Sequence, residues 1–285
     1  MKTFSIAQAL VEGTLLLRKA GIEDARRDAA SLLANLIGRD STYLIAHAER
    51  EVTAADITRY RNFIERRASG EPLQYINGHQ DFFNLDFTVT SDVLIPRPET
   101  ELLVEAALEL IGRDDELRIC DVGTGSGCIV ISILYERPRV SGIALDISPR
   151  ALTVAATNAQ RHAVDTRLKL IESDGFEALD PLTDIFQLIV SNPPYVVEET
   201  FETLQREVRE HEPRGALTPG GDGLAMIRRL LTESSDFLVP GGHLLIEIGF
   251  DQHEAVTEMI DPQTWTLIEI RKDLQGIHRT VVLQK

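Results

Sequence analysis

The chain contains very little cysteine. Its 285 residues include two, Cys120 and Cys128, and each lies in an apolar stretch. Two cysteines in such surroundings provide neither a disulfide framework nor a zinc site, and they are typical of a protein from a reducing compartment. The seven histidines also lack the spacing of metal ligands. We therefore expect two small buried core residues and no bound metal.

Long hydrophobic runs are missing as well. No stretch approaches the 18 apolar residues of a membrane-spanning helix. Near the N-terminus Glu12 interrupts the apolar run, and no small-residue cleavage site follows, so we expect no signal peptide. These absences predict no membrane contact and a cytoplasmic location. Hydrophobic residues still make up 43% of the chain, which is enough for the core of a globular protein.

Positive charge is in short supply. The chain has 29 Lys and Arg residues against 45 Asp and Glu, a formal net charge of -16. Affinity for phosphate backbones comes mainly from Lys and Arg that displace counterions, so we expect no direct nucleic-acid partner. The acidic excess is uneven, because residues 1–75 hold 11 basic and 10 acidic residues whereas residues 76–285 hold 18 and 35. This change in composition indicates two domains.

The first part of the chain is predicted to be helical. Apolar residues recur at helical spacing through residues 5–68, and Ser41 and Thr53 are the expected N-caps of two helices. The segment at 56–67 is amphipathic and basic. Such a segment is either a solvated helix face or a face that docks a partner, and the sequence leaves both open.

The rest of the chain changes character twice. Between residues 70 and 100 the helical pattern breaks, and alternating apolar residues predict a connecting β-hairpin with Asn84 near its turn, followed by a helix from Thr100 to Ile111. Beyond that helix, apolar strand-like runs alternate with helical stretches, which predicts an α/β fold with a mostly parallel sheet covered on both faces. The strand-like runs are 117–122, 140–146, 168–173, 186–191, 243–249, 265–271 and 279–284. The helical stretches are 128–136, 149–163, 222–238 and 251–260. The last two strands have no helix between them and should be antiparallel.

A glycine-rich loop follows the first strand of this sheet and opens a helix. It runs from Gly123 to Gly127 in a G-x-G-x-G pattern, and Asp146 ends the next strand. Glycines let the backbone approach a ligand closely, and a carboxylate at that place can bind both ribose hydroxyls of a nucleoside. Three interpretations remain open: S-adenosylmethionine, a dinucleotide whose pyrophosphate lies at the helix N-terminus, or a purely structural turn.

The fourth strand ends in the sequence Asn192-Pro193-Pro194-Tyr195. Two prolines make this loop rigid and non-helical, and strand order places it beside the glycine loop. The side-chain oxygen of Asn192 and the carbonyl of Pro193 are two acceptors for the N–H groups of a planar, weakly nucleophilic amino group. Tyr195 could stack on that group and face a cationic methyl donor. The alternative is a rigid turn that packs a tyrosine.

These motifs together resemble a known family, the HemK/PrmC proteins, which are peptide chain release factor N5-glutamine methyltransferases. The resemblance covers the chain from about residue 70 to its end. The matching stretches are GEPLQYINGHQDFF (70–83), VLIPRPETE (93–101), DVGTGSGCI (121–129), DISPRAL (146–152), IVSNPPYV (189–196), EPRGALTPGGDGL (212–224), IEIGFDQ (246–252) and DLQGIHR (273–279).

The resemblance implies a Rossmann-like class I methyltransferase fold with a seven-stranded, mostly parallel sheet. It implies methylation of the glutamine amide in the Gly-Gly-Gln motif of class 1 release factors, with S-adenosylmethionine as cofactor. A helical substrate-recognition domain would occupy residues 1–72, a hairpin linker 73–100 and the methyltransferase domain 101–285. The catalytic residues would be Asn192, Pro193 and Tyr195, which together with Pro194 would also hold the glutamine. The cofactor contacts would be Gly123, Thr124, Gly125, Ser126, Gly127, Asp146, Asp174, Gly175, Phe176 and Asn192. For the adenine two readings stay open, packing on Phe176 or a contact with the backbone.

Some assignments stay open at this point. Arg97 and Glu99 could belong to a lid over cofactor or substrate, or they could form a structural ion pair. For Glu247, at the end of an apolar strand, we expect a buried, hydrogen-bonded structural role. Two other functions remain as alternatives: an adenine-N6 nucleic-acid methyltransferase, which shares the Asn-Pro-Pro-Tyr motif, and a non-catalytic binding module on the same fold.

Overall fold

Helices dominate the first part of the chain in the computed structural model, which describes residues 4–285. The elements are β1 (Phe4–Ser5), α1 (Ile6–Lys19), α2 (Ala25–Ile37), α3 (Ser41–Ala46), β2 (Glu51–Val52), α4 (Ala54–Ala68) and α5 (Leu73–Asn77). Thr53 caps α4 as predicted, since its side chain accepts the N–H of Asp56. The predicted cap at Ser41 is wrong. Ser41 is the first helical residue, and the Asp40 carboxylate accepts the N–H of Tyr43 at 2.7 Å.

The remaining strands belong to a hairpin and a large sheet. The hairpin pairs β3 (His79–Phe82) with β4 (Leu85–Thr88), and its turn lies at Phe83 and Asn84, as predicted. Among the described residues the sheet contains seven strands: β5 (Arg118–Val122), β6 (Ser141–Asp146), β7 (Leu168–Glu172), β8 (Phe186–Ser191), β9 (Leu238–Glu247), β10 (Thr266–Lys272) and β11 (His278–Gln284). Their order is β10-β11-β9-β8-β5-β6-β7. The strands from β9 through β8, β5 and β6 to β7 are parallel, whereas β11 is antiparallel to both its neighbours, as expected for the last pair.

The second part of the chain also contains helices. They are α6 (Glu101–Leu110), α7 (Cys128–Glu136), α8 (Pro149–Arg161), α9 (Glu198–Phe201), α10 (Arg206–His211), α11 (Arg214–Leu217), α12 (Ala225–Glu233) and α13 (His253–Met259), with short 3₁₀ turns at Pro98–Thr100, Asp165–Arg167 and Ser234–Phe237. Two large clusters of buried apolar side chains lie against the sheet, and Cys120 and Cys128 are buried in them. The predicted helix at 222–238 is shorter than expected because Gly223 has a left-handed φ of 75° and the last turn is 3₁₀. Between residues 4 and 285, no helix is long and apolar enough to cross a bilayer.

Contacts divide the described chain into two units. One contains the chain up to Gly78 together with Gln205–His211, and the other contains His79–Leu204 and Glu212–Lys285. The domain bounds predicted from the sequence, at 72/73 and 100/101, are not decided by this division and stay predictions.

A buried ion pair explains why residues from the second half of the chain belong to the helical unit. Arg67, on α4, donates to the buried carboxylate of Asp28 at 2.8 Å and to Glu207 on α10 at 2.6 Å. The side chains of Arg67 and Asp28 are 11% and 4% exposed. Burying two charges is costly unless each satisfies the other, so this pair fixes α2, α4 and α10 together.

The basic segment at 56–67 is largely neutralised within the helical unit. Arg59 pairs with Asp56, Arg61 with Glu12, and Arg66 with Glu71, in addition to the buried Arg67 pair. An arginine that already has an acidic partner contributes less to the attraction of a second one. The structure therefore favours a solvated, ion-paired helix face for this segment over a basic docking face.

Replacing Arg67 with methionine should destabilise the helical unit strongly. The substitution leaves Asp28 buried without its cation, and the loss of one partner of a buried pair costs about 3–5 kcal/mol. The matched change on the same helix is Arg61→Met, whose pair with Glu12 is 46% and 33% exposed, so solvent screens the pair and its loss should change the stability little. Urea unfolding followed by far-UV circular dichroism measures both. Equal losses in the two variants would contradict the assignment.

Candidate active site

Three parallel strands end at one cavity. β5 lies between β6 and β8. The next strands in the chain, β6 and β7, lie on one side of β5, whereas β8 and β9 lie on the other, so the carboxyl end of β5 is a topological switch point. A cavity of about 580 Å³ opens there. Its wall contains the glycine loop, Asp146, the loop after β7, and the first residues of the Asn-Pro-Pro-Tyr motif.

The glycine loop presents bare backbone to the cavity. Gly123 and Gly125 have φ angles of 76° and 55°, and a Cβ atom on either would meet no atom within 4 Å. Hydrogen bonds to the neighbouring strand residues hold the loop in place. The N–H groups of Gly123 and Thr124 donate to Leu145 O at 2.9 Å, and the Thr124 hydroxyl donates to the buried carboxylate of Asp121 at 2.7 Å. The open space at the two glycines is therefore available to a ligand that approaches the backbone closely.

Asp146 is fixed at the edge of this loop. Its carboxylate accepts the N–H of Gly125 at 2.8 Å and the N–H of Ser148 at 2.9 Å. Burial raises the pKa of Asp146, and these two backbone donors act in the opposite direction. The remaining lone pairs of a carboxylate held in this way can accept two hydroxyl groups, as the vicinal diol of a ribose requires.

The same hydrogen bonds decide between the ligands that the sequence left open. A pyrophosphate at a helix N-terminus needs free backbone N–H groups. Here the N–H of Gly125 donates to Asp146 and the N–H of Gly127 donates to Thr124 O at 2.8 Å. A phosphate at this place would also lie against the Asp146 carboxylate. The site therefore fits a nucleoside without phosphate groups better than a dinucleotide.

The Asn-Pro-Pro-Tyr motif contributes three of its four residues to the cavity wall. Asn192, Pro193 and Pro194 line it. The Asn192 side chain donates from Nδ2 to the hydroxyl of Thr100 at 3.0 Å, and this hydrogen bond sets the orientation of the amide. The side-chain oxygen of Asn192 is then available as an acceptor, as the predicted chemistry needs.

Tyr195 does not occupy its predicted position. It is not part of the cavity wall, and its ring packs against the core cluster on one face of the sheet. Its hydroxyl donates to Glu247 Oε1 at 3.2 Å, and its carbonyl accepts from Gln252 Nε2 at 3.0 Å. With its ring packed against the core, Tyr195 does not face the cavity, and its stacking role stays a prediction that this position does not support.

Glu247 is buried and hydrogen-bonded, as expected. The residue is 1% exposed, and burial raises its pKa to about 7, although the hydrogen bond from Tyr195 acts to lower it. Within residues 4–285, its second oxygen, Oε2, has no hydrogen-bond partner. An unsatisfied buried oxygen on a carboxyl group is unfavourable for stability alone.

The adenine end of the predicted site also differs from expectation. Asp174 and Gly175 line the cavity, but Phe176 does not. Gly175 has a φ of 57°, and the turn sends Phe176 into the core, where it stacks on Phe237 with ring centroids 4.7 Å apart. The exposed apolar side chain in the wall is Ile147, which is 67% exposed and follows Asp146 directly. Phe176 is therefore absent from the cavity wall, whereas Ile147 is part of it, and the contact of Phe176 with the adenine stays a prediction that this position does not support.

Arg229 lies in no motif, and sequence reasoning missed it. It lies on α12 and also lines the cavity. Its guanidinium donates to the Asp174 carboxylate at 2.5 Å and to the Asp174 carbonyl at 2.8 Å, and it pairs with Glu233 on its own helix at 2.8 Å. A Cβ atom on Gly175 would lie 2.7 Å from Arg229 Cζ. Arg229 therefore fastens the loop after β7 in place.

Arg97 forms an ion pair, with a partner that had no predicted role. It donates from Nη2 to Glu212 Oε1 at 2.5 Å, and the second oxygen of this buried carboxylate accepts the N–H of Ile95 at 3.3 Å. Arg97 lines the cavity, whereas Glu99 does not. The pair joins the loop before α6 to the start of the EPRGAL stretch, which follows the motif at Asn192 by twenty residues.

One group of possible metal ligands lies outside the cavity. His79, Asp81 and Asp86 on the hairpin have ligand atoms within 4.8 Å of one another. Asp86 already accepts from His79 Nδ1 at 2.9 Å and forms an ion pair with Arg161. The absence of a metal stays a prediction.

Comparisons with known proteins agree with this geometry. Residues 8–78 match the PrmC N-terminal domain, and residues 98–228 match the methyltransferase small domain. A release factor glutamine methyltransferase from Koribacter versatilis (strain Ellin345) is 42% identical over 281 residues, which is 99% of each chain. The chain belongs to the release factor glutamine methyltransferases.

Two further comparisons extend this assignment. A relative of the same name from Burkholderia pseudomallei (strain K96243) is 44% identical over 256 residues, covering 88% of this chain and 89% of that one. A solved methyltransferase from Pyrococcus furiosus is 14% identical and shares the fold, with a TM-score of 0.53 over 79% of this chain and 98% of its own. The family and the class I methyltransferase fold predicted from the sequence are confirmed.

Proposed function

We propose that this protein transfers a methyl group from S-adenosylmethionine to the side-chain amide nitrogen of the glutamine in the Gly-Gly-Gln motif of class 1 peptide chain release factors. One observation carries the proposal. The Asn192 amide, with its oxygen free to accept, lies in the same cavity wall as the glycine loop and Asp146. A weak amide nucleophile and a methyl donor can thus be held side by side.

The cofactor half of the cavity suits a sulfonium nucleoside. S-adenosylmethionine supplies a methyl group on a positively charged sulfur. Asp146 would accept the two ribose hydroxyls, and the backbone at Gly123 and Gly125 would allow close approach. Ile147 would pack on one face of the adenine, with Asp174 and Gly175 at its edge. Thr124, Ser126 and Gly127 shape the loop that the nucleoside contacts.

The part of the cavity beside Asn192 and Pro193, called the acceptor half, must make an amide nitrogen reactive. The nitrogen lone pair of a glutamine amide is delocalised into its carbonyl, and two acceptors on its N–H groups favour its attack on the methyl group. Asn192 Oδ1 and the Pro193 carbonyl are the proposed acceptors. No side chain of the motif removes the proton, which leaves the nitrogen after transfer. Fixed acceptors and alignment would supply the rate.

The composition of the cavity wall favours a peptide over a nucleobase. The wall contains five prolines and two small residues, which would leave an apolar surface beside a slender main chain such as Gly-Gly-Gln: Pro96, Pro193, Pro194, Pro213, Gly215, Ala216 and Pro219. Enzymes that modify a flipped base stack it on aromatic or apolar side chains and follow the strand with basic residues. Among residues 4–285 no aromatic side chain lines the cavity. This observation disfavours the adenine-N6 alternative.

Two parts of the sequence prediction depend on this proposal. Residues 1–72 would recognise the body of the release factor, while the acidic remainder of the chain would meet the region around its glutamine. The cytoplasmic location stays a prediction as well, supported by a substrate that acts on the ribosome.

The test is incubation with labelled S-adenosylmethionine and, in separate reactions, a class 1 release factor, the same factor with its motif glutamine changed to alanine, and DNA. We expect label on the unmodified factor alone. Mass spectrometry of the tryptic peptide should show one added methyl group on the glutamine. Label on DNA, or equal label on the alanine factor, would contradict the proposal, and no label on any acceptor would favour the non-catalytic alternative.

The substitutions Asn192→Ala and Asp146→Ala should separate the two halves of the site. Without Asn192 the amide loses one acceptor, so transfer should fall below detection while the cofactor dissociation constant stays within about tenfold. Without Asp146 the cofactor affinity should fall first, because the ribose loses its partner. Calorimetric titration of the cofactor and single-turnover methylation measure the two effects. Exchanged phenotypes would mean that the roles are reversed.

The substitution Arg229→Met should weaken cofactor binding without touching the acceptor side. It removes the hydrogen bonds that hold Asp174, and we expect a dissociation constant about tenfold higher, which is about 1.4 kcal/mol. The control is the neighbouring Arg228→Met. Arg228 is an exposed partner of Asp222 outside the cavity wall, and its loss should leave the constant within about twofold. Identical constants for the two variants would remove Arg229 from the site.

A further inference from the structure

The two prolines leave the Asn-Pro-Pro-Tyr motif without a backbone donor in its middle. Pro193 and Pro194 have no N–H group, so neither can be fixed by a backbone hydrogen bond that it donates. At the entry, where β8 ends, the buried Ser191 hydroxyl donates to Val122 O at 2.7 Å. The position of the two prolines, and of the Pro193 carbonyl with them, therefore also depends on how the exit of the motif at Tyr195 is fixed.

Gln252 binds this exit. It is 5% exposed and lies directly before α13. Its Nε2 donates to the Tyr195 carbonyl at 3.0 Å, and its Oε1 accepts the N–H of Gly249 at 2.8 Å. A backbone carbonyl can only accept and a backbone N–H can only donate, so one orientation of the Gln252 amide satisfies both groups. Gln252 thus joins the exit of the motif to the loop that follows β9.

A glycine from another segment packs against the same carbonyl. Gly223 has a left-handed φ of 75°, and a Cβ atom there would overlap the Tyr195 carbonyl oxygen and lie 3.1 Å from Gln252 Nε2. The residue after the motif is tied to the chain before Gly223 as well, since the N–H of Val196 donates to Leu217 O at 2.8 Å. A larger residue at position 223 would therefore displace the Tyr195 carbonyl from its donor.

We propose that Gln252 and Gly223 are positioning residues, which hold the exit of the Asn-Pro-Pro-Tyr motif so that the Pro193 carbonyl points to the methyl acceptor. This inference rests on the proposed function, in which Asn192 Oδ1 and the Pro193 carbonyl are the two acceptors. Each proline fixes its own φ and restricts the residue before it, so a displacement of the Tyr195 carbonyl is passed along a short, stiff segment to Pro193. Neither Gln252 nor Gly223 lines the cavity, so both act through the motif.

Tyr195 is held at three points, which supports this role. Its ring packs against the core cluster, its hydroxyl donates to Glu247 Oε1 at 3.2 Å, and its carbonyl accepts from Gln252. The segment from the end of β9 to the start of α13 supplies both hydrogen-bonding partners. A transfer without a general base depends on such alignment, because a misplacement of about 1 Å can lower the rate about 100-fold.

The first test compares Gly223→Ala with Gly220→Ala. The two glycines have similar φ angles of 75° and 82°, so each alanine has similar backbone strain, but a Cβ atom at Gly220 meets no atom within 4 Å. With saturating release factor and cofactor, single-turnover methylation should fall about 100-fold in Gly223→Ala and stay within about threefold in Gly220→Ala. The cofactor dissociation constant should stay within about twofold in both. Equal rates in the two variants would overturn the proposal, as would a loss in Gly223→Ala that weaker cofactor binding explains.

The second test is Gln252→Met, which keeps a side chain of similar length and removes both hydrogen bonds. The control is Gln187→Met, because Gln187 also accepts a backbone N–H at 2.8 Å, from Arg118, but at the opposite end of β8. We expect a rate about 100-fold lower in Gln252→Met and within about threefold in the control. The melting temperature of Gln252→Met should fall by less than about 10 °C, since one buried N–H loses its acceptor. A loss of activity that unfolding accounts for would reduce Gln252 to a structural role and contradict the inference.

A third measurement does not depend on the acceptor. Tyr195 and Val196 form the only Tyr-Val pair in the sequence, so protein labelled with ¹³C at tyrosine carbonyls and ¹⁵N at valine gives one correlated NMR signal. The carbonyl frequency should move upfield in Gln252→Met, which lacks the hydrogen bond, and stay in place in Gln187→Met. An unmodified protein that methylates no release factor would contradict the proposed function, yet this signal would still decide whether Gln252 holds the carbonyl. An unchanged signal in Gln252→Met would remove Gln252 from the positioning role.

Discussion

The parallel pairing of β5 with β6 on one side and β8 on the other is the constraint on which the rest of this molecule depends. Parallel strands place their carboxyl ends at one edge, and the three strands end in the glycine loop, Asp146 and the motif at Asn192. No one of these segments is a site alone. The register of the three buried strands brings these segments to one cavity. The apolar residues of β5 and β8 serve the function indirectly, because they hold the strands in that register.

Two buried carboxyl groups contact the loops that the sheet brings to the cavity. Asp121 and Glu247 are both fully buried carboxyl groups whose pKa burial raises to about 7. Asp121 accepts from Thr124 and so holds the glycine loop, while Glu247 accepts from Tyr195, the last residue of the Asn-Pro-Pro-Tyr motif. Each unfavourable burial thus coincides with a loop that must keep one conformation, which is where a costly polar contact is useful.

Much of the fold could be predicted from sequence because its signals are local. The hairpin turn at Asn84 and the alternation beyond residue 117 depend on neighbours in the chain. Contacts between residues that are far apart in the chain could not be predicted in this way. Arg67 is buried because Asp28 and Glu207 meet it, and Arg229 holds Asp174, which is 55 residues away. Phe176 and Tyr195 are aromatic residues in or beside the motifs, where a ligand contact is expected, but both rings pack in or against one core cluster.

The loss of these two aromatic contacts sharpens the functional assignment rather than weakening it. With Tyr195 in the core, the acceptor side of the cavity has prolines, Gly215 and Ala216 instead of a platform for a flat base. A planar amide on a flexible side chain needs no such platform, because two hydrogen-bond acceptors define its plane and its direction. A nucleobase without stacking would lose about 1–3 kcal/mol of binding. The Asn-Pro-Pro-Tyr sequence alone leaves both acceptors open, and in this chain the position of the tyrosine ring against the core favours the amide.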